Sequence, residues 1–163
     1  RGLGDVYKRQ FLLRDDIETI HAATDLLAEA KLSPELRNEA LYYRAKAYTK
    51  QKADKKAMED YRELAKDTRN SYGAEAKYQV AQSLYDAKEY AAAEKELLNY
   101  IEQSTPHAYW LARSFILLSD VYHATGKDLD ARQYLLSLQQ NYQGNDDIES
   151  MIESRLSKLK VEN

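Results

Sequence analysis

The sequence contains no cysteine, only two prolines and only five glycines among its 163 residues. Without cysteine, disulfides, thiolate nucleophiles and zinc-ribbon sites are excluded from this chain. Long apolar runs are missing as well. The longest candidate, residues 115–118, falls far short of the roughly 20 apolar residues that span a bilayer. The sequence therefore predicts no membrane span.

The few prolines and glycines mark the ends of helical segments. Pro34 and Pro106 each follow a hydroxyl residue, and proline at the first helical position after such an N-cap predicts a helix start. Gly73, Gly126 and Gly144 fall between periodic segments, where a residue of positive φ can end a helix. Ala, Leu, Glu, Lys and Gln are abundant and β-branched clusters are rare, so we expect an all-α fold.

The charge pattern argues against nucleic-acid binding, and the spacing of the histidines argues against a metal site. The formal net charge is -3, and basic residues alternate with acidic ones, as over residues 52–60, so no nucleic-acid footprint is present. His21, His107 and His123 have no second histidine at metal-binding spacing, although Glu18 precedes His21 by three positions.

Two acidic pairs, residues 15–16 and 146–147, precede predicted helices. We therefore interpret them as helix caps rather than as catalytic carboxylates. The sequence has no phosphate-binding loop, nucleophile elbow or Ser-His-Asp arrangement. We predict no enzyme activity, no cofactor and no metal site.

The first ten residues, RGLGDVYKRQ, have no helical period and do not resemble any later block. Residues 5–10 resemble the translation of a sequencing-library adapter, so we expect residues 1–10 to be a non-native scar. The alternative is a flexible native tail. On the scar hypothesis the natural protein extends upstream, and a signal peptide or further domain could precede the chain.

Apolar residues recur at three- and four-residue steps through residues 74–106 and predict a helical hairpin. Similar patterns cover the rest of the chain. The predicted helices span residues 16–31, 34–51, 54–68, 72–87, 89–103, 106–125, 128–142 and 146–160.

These helices repeat with a period of 36 and then 38 residues when Asn38, Ala74 and Ala112 are taken as first positions. Small residues then occupy the eighth and twentieth positions, and large residues occupy the eleventh and twenty-fourth. The small residues are Ala45, Ala81, Ser119, Ala57, Ala93 and Ala131, and the large ones are Tyr48, Leu84, Tyr122, Tyr61, Leu97 and Leu135.

This pattern resembles that of tetratricopeptide (TPR) repeats. The resemblance implies an α-solenoid of about eight helices, with a truncated repeat at 11–33, full repeats at 34–71, 72–105 and 106–143, and a capping helix at 144–163. The sequence departs from the family at the fourth position, where Leu41, Lys77 and Phe115 replace the usual Trp, and at the eighth, where Gly is absent.

In TPR arrays the A helices line a concave groove, and the resemblance implies a protein or peptide partner there. We expect Tyr42, Tyr78, Tyr85 and Ile116 to be its apolar anchors. The full set of expected groove residues is Glu39, Tyr42, Lys46, Lys50, Glu75, Tyr78, Gln82, Tyr85, Asp86, Ile116, Asp120 and His123. The asparagines of the chaperone-type carboxylate clamp are missing, which disfavours that subgroup. A solvated groove without a partner is the alternative.

Residues 70–78 and the final helix after Gly144 are similar to a bacterial cell-envelope subgroup. It includes the TPR domains of the Tol-Pal coordinator and of the outer-membrane β-barrel assembly lipoprotein. We therefore expect a non-catalytic interaction scaffold, with the periplasm or envelope favoured over the cytoplasm. The alternative is a regulatory or sensory segment whose output domain is not in this sequence.

Overall fold

The structure is a computed structural model that describes residues 9, 11, 15–103 and 105–159. Across residues 15–103 and 105–159 the chain forms eight α-helices and no strand, which confirms the predicted all-α class. The helices are α1 (Asp16–Leu27), α2 (Pro34–Lys50), α3 (Asp54–Leu64), α4 (Ser71–Asp86), α5 (Tyr90–Glu102), α6 (Ala108–Ala124), α7 (Asp128–Asn141) and α8 (Ile148–Leu156).

Each described helix packs against its neighbours in the chain, and alternate helices also contact one another from α2 to α4, α6 and α8. No two described helices further apart in chain order make contact. This order of contacts is typical of a helical repeat, in which each hairpin packs against the next. We refer to α2, α4, α6 and α8 as the A helices, and to α3, α5 and α7 as the B helices.

The turns inside the three hairpins have one geometry. Lys52, Lys88 and Gly126 follow the A helices and have positive φ values of 58°, 62° and 79°. In each turn the next backbone N–H donates to a carbonyl five residues earlier, at 2.8 Å for Ala53, 2.9 Å for Glu89 and 2.7 Å for Lys127. This is the Schellman pattern, so the three hairpins reverse in the same way.

The core follows the repeat register. The six small residues at the eighth and twentieth positions are each no more than 4% exposed. Their size allows the two helices of a hairpin to approach closely, while large residues such as Leu97 and Leu135, both 0% exposed, fill the space beside them. The predicted roles of these positions in packing are confirmed.

Helix starts are confirmed at two of the expected caps. The Ser33 hydroxyl accepts from the Leu36 N–H at 3.2 Å, and Asp15 accepts from Glu18 at 2.8 Å. The final helix begins two residues later than expected, at Ile148, whose N–H donates to Asp146 at 3.0 Å, and its N-cap Asp147 makes no side-chain cap bond. The expected start at Pro106 is wrong, because α6 begins only at Ala108, after Thr105 bonds to the Thr68 carbonyl.

Gly73 also differs from the sequence expectation. It lies inside the first turn of α4, where the Asn70 side chain accepts from its N–H at 2.8 Å. A Cβ on this residue would lie 1.8 Å from the Asp67 carbonyl oxygen. Close backbone approach, and not positive φ, therefore requires glycine here.

The two ends of the array are unequal. At the C-terminal end Ile148 and Ile152 are 0% and 2% exposed, so α8 covers α6 and α7 as predicted for a capping helix. At the other end Phe11 is buried and its carbonyl accepts from the Thr19 hydroxyl at 3.0 Å, yet Ile17 is 54% exposed. Of the expected scar, only helical Arg9 lies within the described residues.

Candidate functional site

All twelve expected groove residues lie on α2, α4 and α6, three A helices that contact in succession. The structure therefore places them along one row of helices. Their side chains differ greatly in exposure and in hydrogen bonding, however, and only some of them are accessible to a partner.

Two expected anchors are core residues. Tyr78 is 5% exposed, with the Trp110 ring centroid 5.5 Å from its own, and Ile116 is 1% exposed and packs with Ile148 and Ile152. The expectation that Tyr78 and Ile116 are exposed anchors is wrong. The aromatic residues at the start of α6 cover Tyr78, and α8 covers Ile116. The position of a residue within a repeat does not predict whether a neighbouring helix covers its side chain.

At the α2 end of the row, Glu75 joins two helices. Its carboxylate accepts from the Tyr42 hydroxyl at 2.7 Å and lies 3.4 Å from Lys46 Nζ, and the residue is 8% exposed. Burial, and then the hydrogen bond to Glu75, raise the pKa of Tyr42 above its usual value. Glu39 lies on α2 and is half-buried. On the same helix, Lys50 Nζ lies 4.0 Å from Asp16 Oδ1 of α1.

In the centre of the row, a chain of hydrogen bonds crosses from α6 to α4. Arg113 Nη2 donates to the Tyr78 hydroxyl at 2.9 Å, and this hydroxyl donates to Gln82 Oε1 at 2.9 Å. Gln82 Nε2 then donates to Asp86 Oδ1, also at 2.9 Å. The guanidinium carbon of Arg113 lies 4.8 Å from the centre of the Tyr78 ring. The polar side chains on this surface are thus held in fixed positions.

A cavity of about 350 Å³ opens between α4, α6 and the C-terminal end of the array. We call it the basic cavity. Its charged and polar lining comprises Gln82, Tyr85, Ser119, Asp120, His123, Arg155 and Lys158. Four of these residues were predicted from the repeat register, and the structure brings them together.

Arg155 and Lys158 were missed because the final helix was interpreted only as a cap. The alternation of A and B helices could have predicted them. The helix that follows the B helix α7 is an A helix, so its polar face extends the row of A helices. Arg155 Nε lies 3.3 Å from Asp120 Oδ1, whereas Lys158 has no acidic side chain within 4.0 Å in the described part of the chain. Burial raises the pKa of Asp120 despite this ion pair.

His123 also lines the basic cavity. Its Nδ1 lies 2.8 Å from Asp128 Oδ1, at the junction between α6 and α7. The basic cavity is therefore lined by Arg155, Lys158 and His123 and by a single carboxylate, Asp120.

A second cavity, of about 460 Å³, lies between α2, α3 and α4. We call it the acidic cavity because Asp54 and Asp86 line it and no basic residue does. Its apolar lining includes Met58 and Tyr61, and burial raises the pKa of Tyr61 to about 12. Gln82 lines both cavities, so the two are adjacent.

Within the described residues, no three His, Asp or Glu side chains are grouped so that they could hold a metal ion. None of the helices described above is long and apolar enough to cross a membrane. No family model matches this sequence, and comparison with curated proteins and with solved structures found no match either.

Proposed function

We propose that this chain is a TPR-type solenoid that serves as a non-catalytic scaffold and binds a segment of a protein partner along its A helices. The basic cavity is the observation that carries the proposal, because four side chains chosen from the repeat register line it together with Arg155 and Lys158. Concave sites with a few fixed polar groups are typical of ligand recognition.

Two further features support the repeat assignment. The Schellman turns at Lys52, Lys88 and Gly126 recur in the register that aligns the small core residues. Helix contacts occur only between near neighbours among the described residues, as stacked hairpins require. A row of A helices formed in this way offers an extended surface, which suits a peptide or a helix better than a small metabolite.

We also propose a place in the bacterial cell envelope, on the resemblance of residues 70–78 and of the helix after Gly144. In α4 this segment is a capped start, with Asn70 bonded to the Gly73 N–H. The coding sequence in its genomic context tests this part. A signal peptide upstream would support it, and an adjoining catalytic or DNA-binding domain would contradict it.

The binding proposal is tested by selection from a phage-displayed random peptide library against the immobilised chain. Enriched peptides are then measured by isothermal titration calorimetry with the wild type and with the double variant Gln82→Ala/Tyr85→Ala. We expect the variant to lose at least about tenfold in affinity, since it removes contact area from both cavities.

The matched control is Glu102→Ala, an exposed residue at the end of α5 on the B-helix side. It should bind the same peptides as tightly as the wild type. Failure to enrich any peptide, or equal affinity of the double variant, would overturn the proposal.

A further inference from the structure

The basic and acidic cavities share one wall, and their charges are opposite. Asp54 and Asp86 line the acidic cavity, while Arg155 and Lys158 line the basic cavity together with one carboxylate, Asp120, which is paired with Arg155. Elsewhere on the described surface several acidic and basic groups pair, as Arg37 does with Glu63 and Lys66 with Glu63. In the described part of the chain, Asp54 and Asp86 on one side and Lys158 on the other have no oppositely charged side chain within 4.0 Å.

Asp86 breaks a rule of helix electrostatics. It is the last residue of α4, where the partial negative charge of the helix end disfavours a carboxylate. The equivalent residue of α2 is Lys50, which obeys the rule. Asp86 accepts a hydrogen bond from Gln82 but has no basic side chain within 4.0 Å in the described residues. A residue that costs local stability in this way is expected at functional positions.

Lys158 and Arg155 supply the opposite charge. Lys158 has no acidic partner within 4.0 Å in the described part of the chain, and both Arg155–Asp120 contacts are 3.3 Å long. An incoming carboxylate can therefore contact Lys158 directly and share Arg155 with Asp120. Tyr85 and Leu159 form apolar walls beside these groups.

We propose that the partner segment carries one basic and one acidic side chain, which enter the acidic and the basic cavity on either side of Gln82. This inference rests on the proposed binding function and specifies its ligand chemistry. The occupant is a peptide segment and not a small ion, because only an extended molecule with charges of both signs can be complementary to two adjacent cavities of opposite charge.

The test uses synthetic peptides with acetylated and amidated ends, in which Lys and Glu are separated by zero to six neutral residues, in both orders. Isothermal titration calorimetry compares each peptide with its Lys/Lys, Glu/Glu and Gln/Gln counterparts. At the best spacing the Lys/Glu peptide should bind about tenfold more tightly than any counterpart, the gain expected from two partly exposed ion pairs. Equal binding of the Lys/Lys or Glu/Glu peptide, or no binding of any Lys/Glu peptide, would overturn the inference.

Variants of the protein separate binding from folding. Asp86→Asn keeps the acceptor for Gln82 and removes the unfavourable charge. It should therefore raise the melting temperature by about 1–3 °C and lower the affinity for the Lys/Glu peptide. If Asp86 had a purely structural role, Asp86→Asn would lower both the melting temperature and the affinity for the peptide. Lys158→Glu should invert the preference in the basic cavity, so that the Lys/Lys peptide binds more tightly than the Lys/Glu peptide. An unchanged preference would contradict the assignment of that cavity.

The two proposals can fail separately. If the phage selection enriches peptides that depend on Gln82 and Tyr85 but lack paired opposite charges, the scaffold function stands and the charge inference is overturned. If the chain instead self-associates in sedimentation equilibrium, and Asp86→Lys abolishes that association, the occupant is a second copy and the peptide inference is wrong.

Discussion

Lys77 Nζ lies 2.9 Å from Glu96 Oε2 and joins α4 to α5 inside the middle hairpin, where Lys77 is only 8% exposed. Equivalent positions in the third hairpin hold Phe115 and Tyr134, with ring centroids 5.7 Å apart. The lysine at this position is thus matched by a charge on the facing helix. Removal of one partner leaves the other partly buried and unpaired.

We predict that Lys77→Met and Glu96→Leu each lower the free energy of unfolding, because each leaves the other member of the ion pair partly buried and unpaired. The expected loss is limited to about 1–3 kcal/mol, since both residues retain some contact with solvent. The double variant Lys77→Phe/Glu96→Tyr should recover most of this loss by reproducing the aromatic pair of the third hairpin. Urea denaturation measures all three. A double variant no more stable than the worse single variant would contradict the repeat register.

The turn residues Lys52 and Lys88 occupy a conformation that glycine holds at Gly126. A non-glycine residue in this region costs about 1–2 kcal/mol, while glycine adds about 0.5–1 kcal/mol of unfolded-state entropy. Lys88→Gly should therefore stabilise the protein by about 0.5 kcal/mol, and Gly126→Ala should destabilise it by about 1 kcal/mol.

Thermal unfolding followed by circular dichroism checks these opposite signs. Glu89→Gly is the matched control, since Glu89 adjoins Lys88 but has a φ of -87°. This variant gains nothing from positive φ and should lose stability. If Lys88→Gly also loses stability, then side-chain contacts of Lys88 outweigh its backbone strain.

Tyr78 and Tyr85 are both groove positions in the repeat register, but the structure separates them. Tyr78 is 5% exposed, whereas Tyr85 is only partly buried and lines the basic cavity. We predict that Tyr78→Ala costs about 3–5 kcal/mol of stability and Tyr85→Ala about 1 kcal/mol. Tyr78→Phe keeps the ring and loses only the hydroxyl bonded to Arg113 and Gln82. Equal losses for the two alanine variants, measured in urea, would contradict this assignment.

The pair also shows what the sequence could predict. Period and residue size identify which positions face the partner helix, because a helical hairpin must bury small residues at its crossing, as at Ala81 and Ala93. They cannot identify burial caused by the neighbouring repeat. Trp110 and Arg113 cover Tyr78 from α6, and that covering depends on side chains outside the repeated pattern.

The same limit explains the missed half of the basic cavity. The final helix buries Ile148 and Ile152 on one face, but a helix that buries one face also presents the other. The packing of α8 against both α6 and α7 determines that Arg155 reaches Asp120. Sequence periodicity predicts which face of a helix is buried. It does not predict which residue of another helix the side chains on the exposed face will contact.

Gly73 provides a sharper test of backbone packing. A Cβ there would lie 1.8 Å from the Asp67 carbonyl oxygen and 2.8 Å from that of Leu64. Both atoms belong to the backbone and cannot rotate away, so Gly73→Ala should cost about 3 kcal/mol or more. Ser71→Ala, at the exposed first residue of the same helix, is the control and should change the unfolding midpoint in urea only slightly. A tolerated alanine at residue 73 would show that α3 and α4 can separate without loss.

Buried tyrosines make the protein sensitive to alkaline pH. Burial raises the pKa of Tyr61 to about 12, against an ordinary value of about 10 in the unfolded chain. Between these two pH values the unfolded state has released the phenolic proton and the folded state has not. Stability from this group is complete below about pH 10 and is lost as the pH rises toward 12.

We predict that the free energy of unfolding falls by about 1–3 kcal/mol between pH 10 and pH 12 on account of Tyr61 alone. Tyr42, whose pKa is also raised by burial and by Glu75, should add to the loss. Urea denaturation at a series of pH values measures the slope, and Tyr61→Phe should make it shallower because phenylalanine has no proton to release. The same slope in Tyr61→Phe and in the wild type would contradict the assignment, since Tyr61 would then ionise equally in both states.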